Sequence, residues 1–476
     1  MSVIKKLAGE TAIYGLSSML GRVLFFLLTP LYTTVLAKEE YGNVTELFAY
    51  SSFLIVLFTC RMETAYFRFG TEGKFPSSYP TALWSVVGSA VLLGSLIIIF
   101  ASQIAHFLHY DLHEIYFVFL GLILMFDALC EIPLAQLRLQ QKAKKFATIR
   151  LINICINIAL NLFFLLACPK SDSSLITTWY DKNFGVGYIL LSNFLASCIT
   201  FLLLLPQYSA PIWDKALWKK MLRFALPLVV VGMAGIINET LDRAIFKWVS
   251  PMAANANEAL LGEYGAGYKL TMILTLFTQA FRMGAEPFFF RERSSNNAPD
   301  IYAKVTKYFI IIALGGLMFT LFFLDILKIL LIHPKFWEGM KVVPILLYAN
   351  LFLGIYYNVS VWYRLADKTN IGAIISIVGA AVTIVLNIWW IPIFGYLGCA
   401  YATLVCYFCM VLLCYFIGQK YYKIPYDWLK ICAYILFSLL LYFVFQQFGA
   451  TWQLGILLLL SFGLITYLLE FKFITK

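Results

Sequence analysis

The chain has 476 residues, of which 62% are hydrophobic and only 13% are charged, and its formal net charge is +11. Roughly a quarter of the residues in soluble domains are charged, because polar side chains must cover the exterior. This composition excludes a soluble globular fold and favours an integral membrane protein made of α-helices.

Apolar runs follow one another along the whole sequence. Since the hydrocarbon core requires roughly 20 apolar residues per spanning helix, the sequence predicts about fourteen transmembrane helices. Their approximate bounds are 11–36, 43–62, 80–104, 114–137, 146–167, 184–205, 222–248, 263–287, 305–331, 342–363, 370–391, 395–417, 428–446 and 452–470. The first run is too long for the apolar core of a signal peptide and leads directly into the second, so we expect it to be retained.

The positive charge is distributed unevenly between the loops. If the N-terminus lies in the cytoplasm, most Lys and Arg residues fall in loops on that side, and few fall in loops on the opposite side. This asymmetry sets the orientation of membrane proteins, and it predicts that both termini are cytoplasmic. Because the membrane topology accounts for most of the excess positive charge, this charge does not indicate nucleic-acid binding.

Four short motifs occur twice, in the same order and at matching spans. The pairs are Glu40-Tyr41-Gly42 with Glu263-Tyr264-Gly265, Arg138-Leu139 with Arg364-Leu365, Leu160-Asn161-Leu162 with Leu386-Asn387-Ile388, and Phe184-Gly185 with Phe394-Gly395. The second copy of each motif lies six spans after the first. This offset keeps both copies on the same side of the membrane, so the repeat is parallel.

The repeat predicts the domain organisation. We expect an N-terminal six-helix lobe over residues 1–210 and a C-terminal six-helix lobe over residues 211–420, with a cleft between them that opens alternately to either side. Two further transmembrane helices, over residues 421–476, have no counterpart in the repeat.

The loops are short, and none has room for a soluble catalytic or nucleotide-binding domain. The sequence also lacks the glycine-rich P-loop that binds nucleotide phosphates. His106, His109 and His113 cluster in an outer loop, but their spacing does not by itself create the convergent geometry of a metal site. We therefore predict that the protein is not an enzyme and has no cofactor and no metal site.

Several segments are similar to one family of membrane transporters. They are the opening span with Tyr14, Gly21, Pro30 and Tyr32, the following Glu40-Tyr41-Gly42, Arg138-Leu139-Gln140-Gln141-Lys142-Ala143, Arg223-Phe224-Ala225-Leu226-Pro227, Asp242-Arg243 and Pro287-Phe288. Over nearly its whole length the chain resembles the oligosaccharide flippase branch of the multidrug/oligosaccharidyl-lipid/polysaccharide exporter superfamily.

This resemblance implies a V-shaped, fourteen-helix fold similar to that of multidrug exporters. It also implies that an oligosaccharide linked to polyprenyl diphosphate moves from the cytoplasmic to the outer leaflet of a bacterial inner membrane, for cell-surface polysaccharide biosynthesis. The partners would be this lipid-linked substrate and membrane lipid, with a polysaccharide polymerase or glycosyltransferases as further candidates.

Polar side chains form a stripe on each of two predicted helices. The stripe of the first span includes Tyr14, Ser18 and Arg22, and that of the eighth span includes Tyr268, Gln279 and Arg282. We hypothesise that both stripes line the cleft and that the two arginines bind the diphosphate, since guanidinium binds phosphate oxygens bidentately. Arg61 and Lys269 would add cations at other depths. Two other interpretations stay open: Arg22 pairs with a buried carboxylate, and Arg61 only marks the cytoplasmic side.

Carboxylates also occur within the predicted spans, where ionisable groups are costly unless they pair or face a cavity. Asp127 and Glu131 are one helical turn apart in the fourth span, and Glu239 and Asp242 lie in the seventh. They are candidates for coupling transport to a proton or sodium gradient. A structural ion pair with an arginine of a neighbouring helix is the alternative for the first two.

Three other functions compete with the oligosaccharide flippase. A flippase for the lipid-linked peptidoglycan precursor would have the same fold and a similar cationic cleft. A cation-coupled multidrug exporter fits less well, because Arg22 would repel a cationic drug. A membrane glycosyltransferase or polymerase would need carboxylates on a substantial outer loop, and the longest, about 168–183, offers only Asp172 and Asp181.

Overall fold

The structure is a computed structural model of the chain. It describes residues 19–71, 76–111, 113–171, 178, 180–292, 297–366 and 368–471. Every regular element in these ranges is a helix, which confirms the predicted all-α fold class. Tyr14 and Ser18, from the predicted stripe of the first span, lie outside the described residues.

The helices follow the apolar runs of the sequence. In the first half they are α1 Met19–Val35, α2 Lys38–Thr59, α3 Met62–Thr71, α4 Ser78–Ile99, α5 Ala101–Phe107, α6 Glu114–Leu139, α7 Ala143–Leu162, α8 Gly185–Leu204 and α9 Lys215–Val249. In the second half they are α10 Ala254–Arg291, α11 Ala298–Phe322, α12 Leu324–Leu331, α13 Val343–Val359, α14 Val361–Leu365, α15 Thr369–Phe394, α16 Tyr396–Tyr421, α17 Trp428–Gln447 and α18 Trp452–Phe471.

Twelve helical segments of the described chain are long and apolar enough to cross a membrane, so the protein is a multi-pass membrane protein. They coincide with twelve of the fourteen predicted spans. The predicted first span is the shorter apolar helix α1. The predicted eighth span is α10, which has 38 residues but is more polar than the others because it carries the predicted stripe.

The described chain divides into two compact units, unit 1 with residues 1–236 and unit 2 with residues 237–476. In unit 1, α6 packs against α2, α4 and α8, while α8 contacts α7 and α2 contacts α4. In unit 2, α13 packs against α10, α11 and α16, while α16 contacts α15 and α10 contacts α11. The same helix pairs recur six spans later, so the repeat predicted from the motifs is present in the packing.

The boundary between the units falls inside α9. The predicted lobe boundaries at residues 210 and 420 therefore remain a prediction. Helices α17 and α18 belong to unit 2, where Lys307 of α11 forms an ion pair with the buried Glu470 of α18. The Tyr434 hydroxyl donates to the same carboxylate at 2.7 Å. These contacts fix both C-terminal helices to α11.

Each unit contains one ion pair at the same place in the repeat. Arg138 at the end of α6 pairs with Glu63 of α3, and Arg364 of α14 pairs with Glu286 near the end of α10. The two arginines are a motif pair, and Glu286 follows Glu63 by as many residues as Glu263 follows Glu40. Both pairs are partly desolvated, with side chains between 23% and 34% exposed. They join the ends of the helices at the predicted cytoplasmic side.

We predict that neutralising one partner of either pair destabilises the protein. Glu63→Gln, Arg138→Gln and Arg364→Gln should each lower the free energy of unfolding by about 1–3 kcal/mol, because a partly desolvated charge loses its partner. The double variant Glu63→Gln/Arg138→Gln should recover part of the loss. Thermal unfolding in detergent, followed by tryptophan fluorescence, measures this.

The exposed Glu338–Lys341 pair provides the control, since both of its side chains are more than 60% exposed. Glu338→Gln should change stability by less than about 1 kcal/mol. If the losses at Glu63 and Arg138 simply add in the double variant, the two side chains do not interact energetically.

Candidate functional site

Arg22 lies on the exposed side of α1. Among the residues that the structure describes, none forms an ion pair with it, so the alternative of a buried carboxylate partner finds no support there. The polar stripe predicted for this helix is interrupted by a bend at Leu27 and Leu28, just before Pro30. Beyond the bend, Thr29 and Thr33 are buried, and the Thr33 hydroxyl donates to the Thr29 carbonyl at 2.9 Å. Proline causes this change because it lacks the amide hydrogen that continues a helix.

Arg61 occupies the break between α2 and α3. Both Cys60 and Arg61 have left-handed backbones, with φ of 47° and 53°, a conformation that costs roughly 1–2 kcal/mol for a residue with a Cβ. The Arg61 side chain lies against Gly232 of α9, where an added Cβ would come within 2.5 Å of Nη2. Arg61 also acts electrostatically on Glu131. Packing within unit 1 therefore fixes the position of the Arg61 side chain.

The two carboxylates predicted in the fourth span face a cavity of about 440 Å³ inside unit 1. Asp127 accepts a hydrogen bond of 2.6 Å from the Ser197 hydroxyl of α8. Glu131 forms no hydrogen bond or ion pair with the described residues. Neither carboxylate forms an ion pair with an arginine of the described residues, although Arg150 of α7 lines the same cavity and acts electrostatically on both.

Carboxamides form another part of the cavity wall. The Asn153 amide donates to the Thr200 hydroxyl at 2.8 Å, and the Asn157 amide donates to the Asn193 oxygen at 2.9 Å. The sequence analysis missed these residues. The signal was present, because Asn153, Asn157 and Asn161 recur at every fourth position of α7 and therefore share one helical face.

In unit 2, Arg282 lies on α10 with its side chain 46% exposed. Its Nε is 3.4 Å from Glu286, and its guanidinium lies over the ring of Tyr357 at 4.8 Å. Glu286 is shared with Arg364, so the group of two arginines and one carboxylate keeps a net positive charge. Gln279, one turn before Arg282, is partly buried.

A second polar cluster joins α9 and α10. The buried Asp242 accepts hydrogen bonds from the Tyr264 hydroxyl and from the Arg243 backbone amide, the latter at 2.9 Å. The Arg243 guanidinium lies 4.1 Å above the ring of Tyr268. The Arg243 Nε also donates to Asp242, at 3.4 Å, so this carboxylate has three donors. Glu239 lies on an exposed part of α9.

Lys269 adds a further cation to this cluster. It is partly buried and interacts electrostatically with Arg243. The cluster therefore holds two cations, Arg243 and Lys269, beside two carboxylates, Asp242 and Glu239, both of which act electrostatically on Arg243. Arg243 was not among the predicted site residues, although its position beside Asp242 and the spacing of Tyr264 and Tyr268 are visible in the sequence.

The histidines of the outer loop are separate in the structure. His106 Nδ1 is 2.6 Å from Asp111 on an exposed surface, and His113 stacks on Tyr116. In the described parts of the chain, no group of three or more His, Cys, Asp or Glu side chains is arranged to hold a metal ion.

Residues 7–292 match the family model described as polysaccharide biosynthesis protein. The chain belongs to this family. Its membership agrees with the resemblance carried by the opening span and the motifs that follow it. No curated protein sequence matches the chain.

Solved structures of other proteins show the same fold. The structure of the lipid II flippase MurJ in an inward closed conformation has a TM-score of 0.72 at 15% identity, over 95% of this chain and 98% of that one. An outward-facing multidrug resistance MATE transporter of the MOP superfamily has a TM-score of 0.56 at 15% identity, over 88% and 94%. A mutant of the Vibrio cholerae MATE transporter VcmN has a TM-score of 0.57 at 13% identity, over 87% and 98%. This polysaccharide biosynthesis family member therefore has a MurJ- and MATE-like fold.

We predict that Gly232 is required for the position of Arg61. Gly232→Ala should destabilise the protein by about 1 kcal/mol, because the new methyl group displaces the guanidinium. Gly235→Ala is the matched control on the same helix, with open space around the added Cβ. It should stabilise the protein by about 0.4–1 kcal/mol.

Denaturant unfolding in detergent compares the two variants. In an Arg61→Ala background the difference between them should shrink, since the displaced group is gone. An unchanged difference would show that the cost at Gly232 has another origin.

Proposed function

We propose that this protein is a flippase that moves a polyprenyl-diphosphate-linked oligosaccharide from the cytoplasmic to the outer leaflet by alternating access. The observation that carries the proposal is the combination of a polysaccharide biosynthesis family with a fold also found in a lipid II flippase. The short loops leave transport, rather than catalysis, as the role of the chain. Its location would be a bacterial inner membrane, with both termini in the cytoplasm.

The proposed diphosphate contacts are cationic side chains within apolar helices. Arg22 is the strongest of them, because the described residues give it no anionic partner, and an unpaired charge in a membrane helix is expected to face a polar cavity or a ligand. Arg282 and Lys269 in unit 2 and Arg61 in unit 1 would add further contacts. Tyr14, Ser18, Tyr268 and Gln279 are the proposed polar neighbours. Coupling to an ion gradient at Asp127, Glu131, Glu239 and Asp242 stays a prediction.

A flippase for the lipid-linked peptidoglycan precursor is the second candidate. The TM-score of 0.72 to MurJ over 95% of the chain favours it. The family match favours the polysaccharide substrate instead. A multidrug exporter receives less support, since the guanidinium of Arg22, which has no ion-pair partner among the described residues, would repel a lipophilic cation. A polysaccharide polymerase or glycosyltransferases are proposed as partners rather than as the activity of this chain.

Flipping in liposomes tests the proposal. The reconstituted protein should accelerate the appearance of a polyprenyl-diphosphate oligosaccharide on the far leaflet. Arg22→Ala should slow this transfer by roughly 10- to 100-fold, because a hydrogen bond between charged groups contributes about 1.5–3 kcal/mol. Arg22→Lys should retain more activity than Arg22→Ala.

The exposed Lys420, at the end of α16, provides the control, and Lys420→Ala should transport normally. Faster transfer of the peptidoglycan precursor than of the oligosaccharide would favour the second candidate. Export of a lipophilic cation without movement of either lipid would contradict the flippase function.

A further inference from the structure

The cavity of unit 1 differs sharply from the repeat-related place in unit 2. In unit 1, the Glu63–Arg138 ion pair borders a volume of about 440 Å³. In unit 2, the corresponding Glu286–Arg364 pair borders a space of only about 10 Å³. Two copies of one helical unit have therefore diverged at this position, while the ion pair beside it is the same in both.

Three positions of the cavity wall carry larger side chains in unit 2 than in unit 1. Tyr357 precedes Arg364 by as many residues as Glu131 precedes Arg138, and Tyr407 follows Phe394 by as many residues as Ser197 follows Phe184. By the same offset, Met410 corresponds to Thr200. The side chains of Tyr407 and Met410 are buried, with 4% exposure each. At these three positions unit 2 carries larger side chains than unit 1, whereas Thr403, which corresponds to Asn193, is smaller.

An open cavity of this size is costly unless something polar fills it. Empty volume in a protein interior destabilises by about 24 cal/mol per Å³, and polar walls are compensated only by hydrogen-bonding contents. The volume of about 440 Å³ lies within the range of roughly 300–1,000 Å³ typical of small-molecule sites. The cavity therefore has the size of a ligand site rather than of a packing defect.

The chemistry of the wall matches a neutral polyhydroxyl ligand. Carboxylates, carboxamides, hydroxyls and two guanidinium groups line it, so donors and acceptors are mixed. Each hydroxyl of a sugar can both donate and accept a hydrogen bond. A carboxylate or carboxamide can therefore bind two adjacent hydroxyls at once. Phe25 of α1 adds an exposed aromatic ring on which the apolar face of a sugar can lie.

An ion fits this wall less well. A bare cation requires several oxygen ligands at roughly 2.0–2.6 Å, and the cavity is far larger than such a cage. Arg150 lines it and acts on both Asp127 and Glu131, which opposes a cation. An isolated phosphate is disfavoured because three carboxylates line the cavity with only two arginines.

We propose that the cavity of unit 1 is a sugar-binding subsite that holds a mono- or disaccharide next to the diphosphate of the transported lipid. This inference rests on the proposed flippase function and adds a residue set to it: Asp127, Glu131, Arg150, Asn157 and Asn193. The cavity extends from the Glu63–Arg138 pair, at the predicted cytoplasmic ends of the helices, to Asn193 in the middle of α8. A glycan arriving from the cytoplasm would meet it from that side.

Equilibrium binding to the purified full-length protein tests the subsite. The probes are undecaprenyl diphosphate without sugar and undecaprenyl diphosphate carrying each of a panel of neutral disaccharides built from hexose and N-acetylhexosamine. For wild type we expect at least one disaccharide lipid to bind roughly tenfold or more tightly than the sugar-free lipid. Asn193→Ala should remove about tenfold of that gain by deleting one hydrogen-bonding side chain.

Ser197→Tyr is the second variant, because it installs in unit 1 the side chain that unit 2 carries at Tyr407. It should bind the sugar-free lipid like wild type and lose the preference for the disaccharide. Thr403→Ala, at the place in unit 2 that corresponds to Asn193, is the matched control and should change neither constant. Thermal unfolding verifies that each variant is folded.

The outcomes separate the subsite from the flippase function. Equal binding of the sugar-free lipid and every disaccharide lipid would overturn the subsite and leave the flippase proposal standing. A sugar preference that survives in both Asn193→Ala and Ser197→Tyr would place the sugar elsewhere and also overturn it. Failure of all the lipids to bind would contradict the proposed function, and the subsite with it.

Discussion

The hydrocarbon core of a bilayer contains nothing that can solvate a charged side chain. Each charge within a spanning helix must therefore pair with another group, face a polar cavity or meet a ligand. The described charges of this chain show the first two arrangements, and one of them, Arg22, shows neither an ion pair nor a cavity among the described residues. Lys307 and Glu470 form a buried pair, Asp127 and Glu131 face a cavity, and Arg22 has no ion-pair partner among the described residues.

The internal repeat allows equivalent positions in the two units to be compared. The ion pairs Glu63–Arg138 and Glu286–Arg364 occur at equivalent places in the repeat. Each joins the ends of two helices that contact one another. Where the copies differ, the difference is chemical. Carboxylates and carboxamides line a cavity in unit 1, whereas aromatic side chains such as Phe281, Phe289 and Tyr357 line the much smaller space beside the ion pair in unit 2. Divergence within a repeat thus separates contacts that maintain the fold from residues available for a ligand.

The cluster in unit 2 illustrates how a buried charge is held. Asp242 receives hydrogen bonds from Tyr264 and Arg243, and Arg243 lies on the ring of Tyr268. The aspartate pairs with the arginine and orients it, and Lys269 and Glu239 add one further charge of each sign to the cluster.

The sequence by itself determined the membrane character, the positions of the spans and the parallel repeat, because these depend on hydrophobicity and periodicity along one chain. It also contained both members of each repeated ion pair, although not the fact that they pair. Only the tertiary structure decided that Glu131 faces a cavity and that Arg61 lies against Gly232. It also decided that Lys269 interacts with Arg243, a residue of another helix. The physical reason is that helical periodicity assigns residues to a common face, whereas the contents of the space opposite that face depend on side chains from other helices.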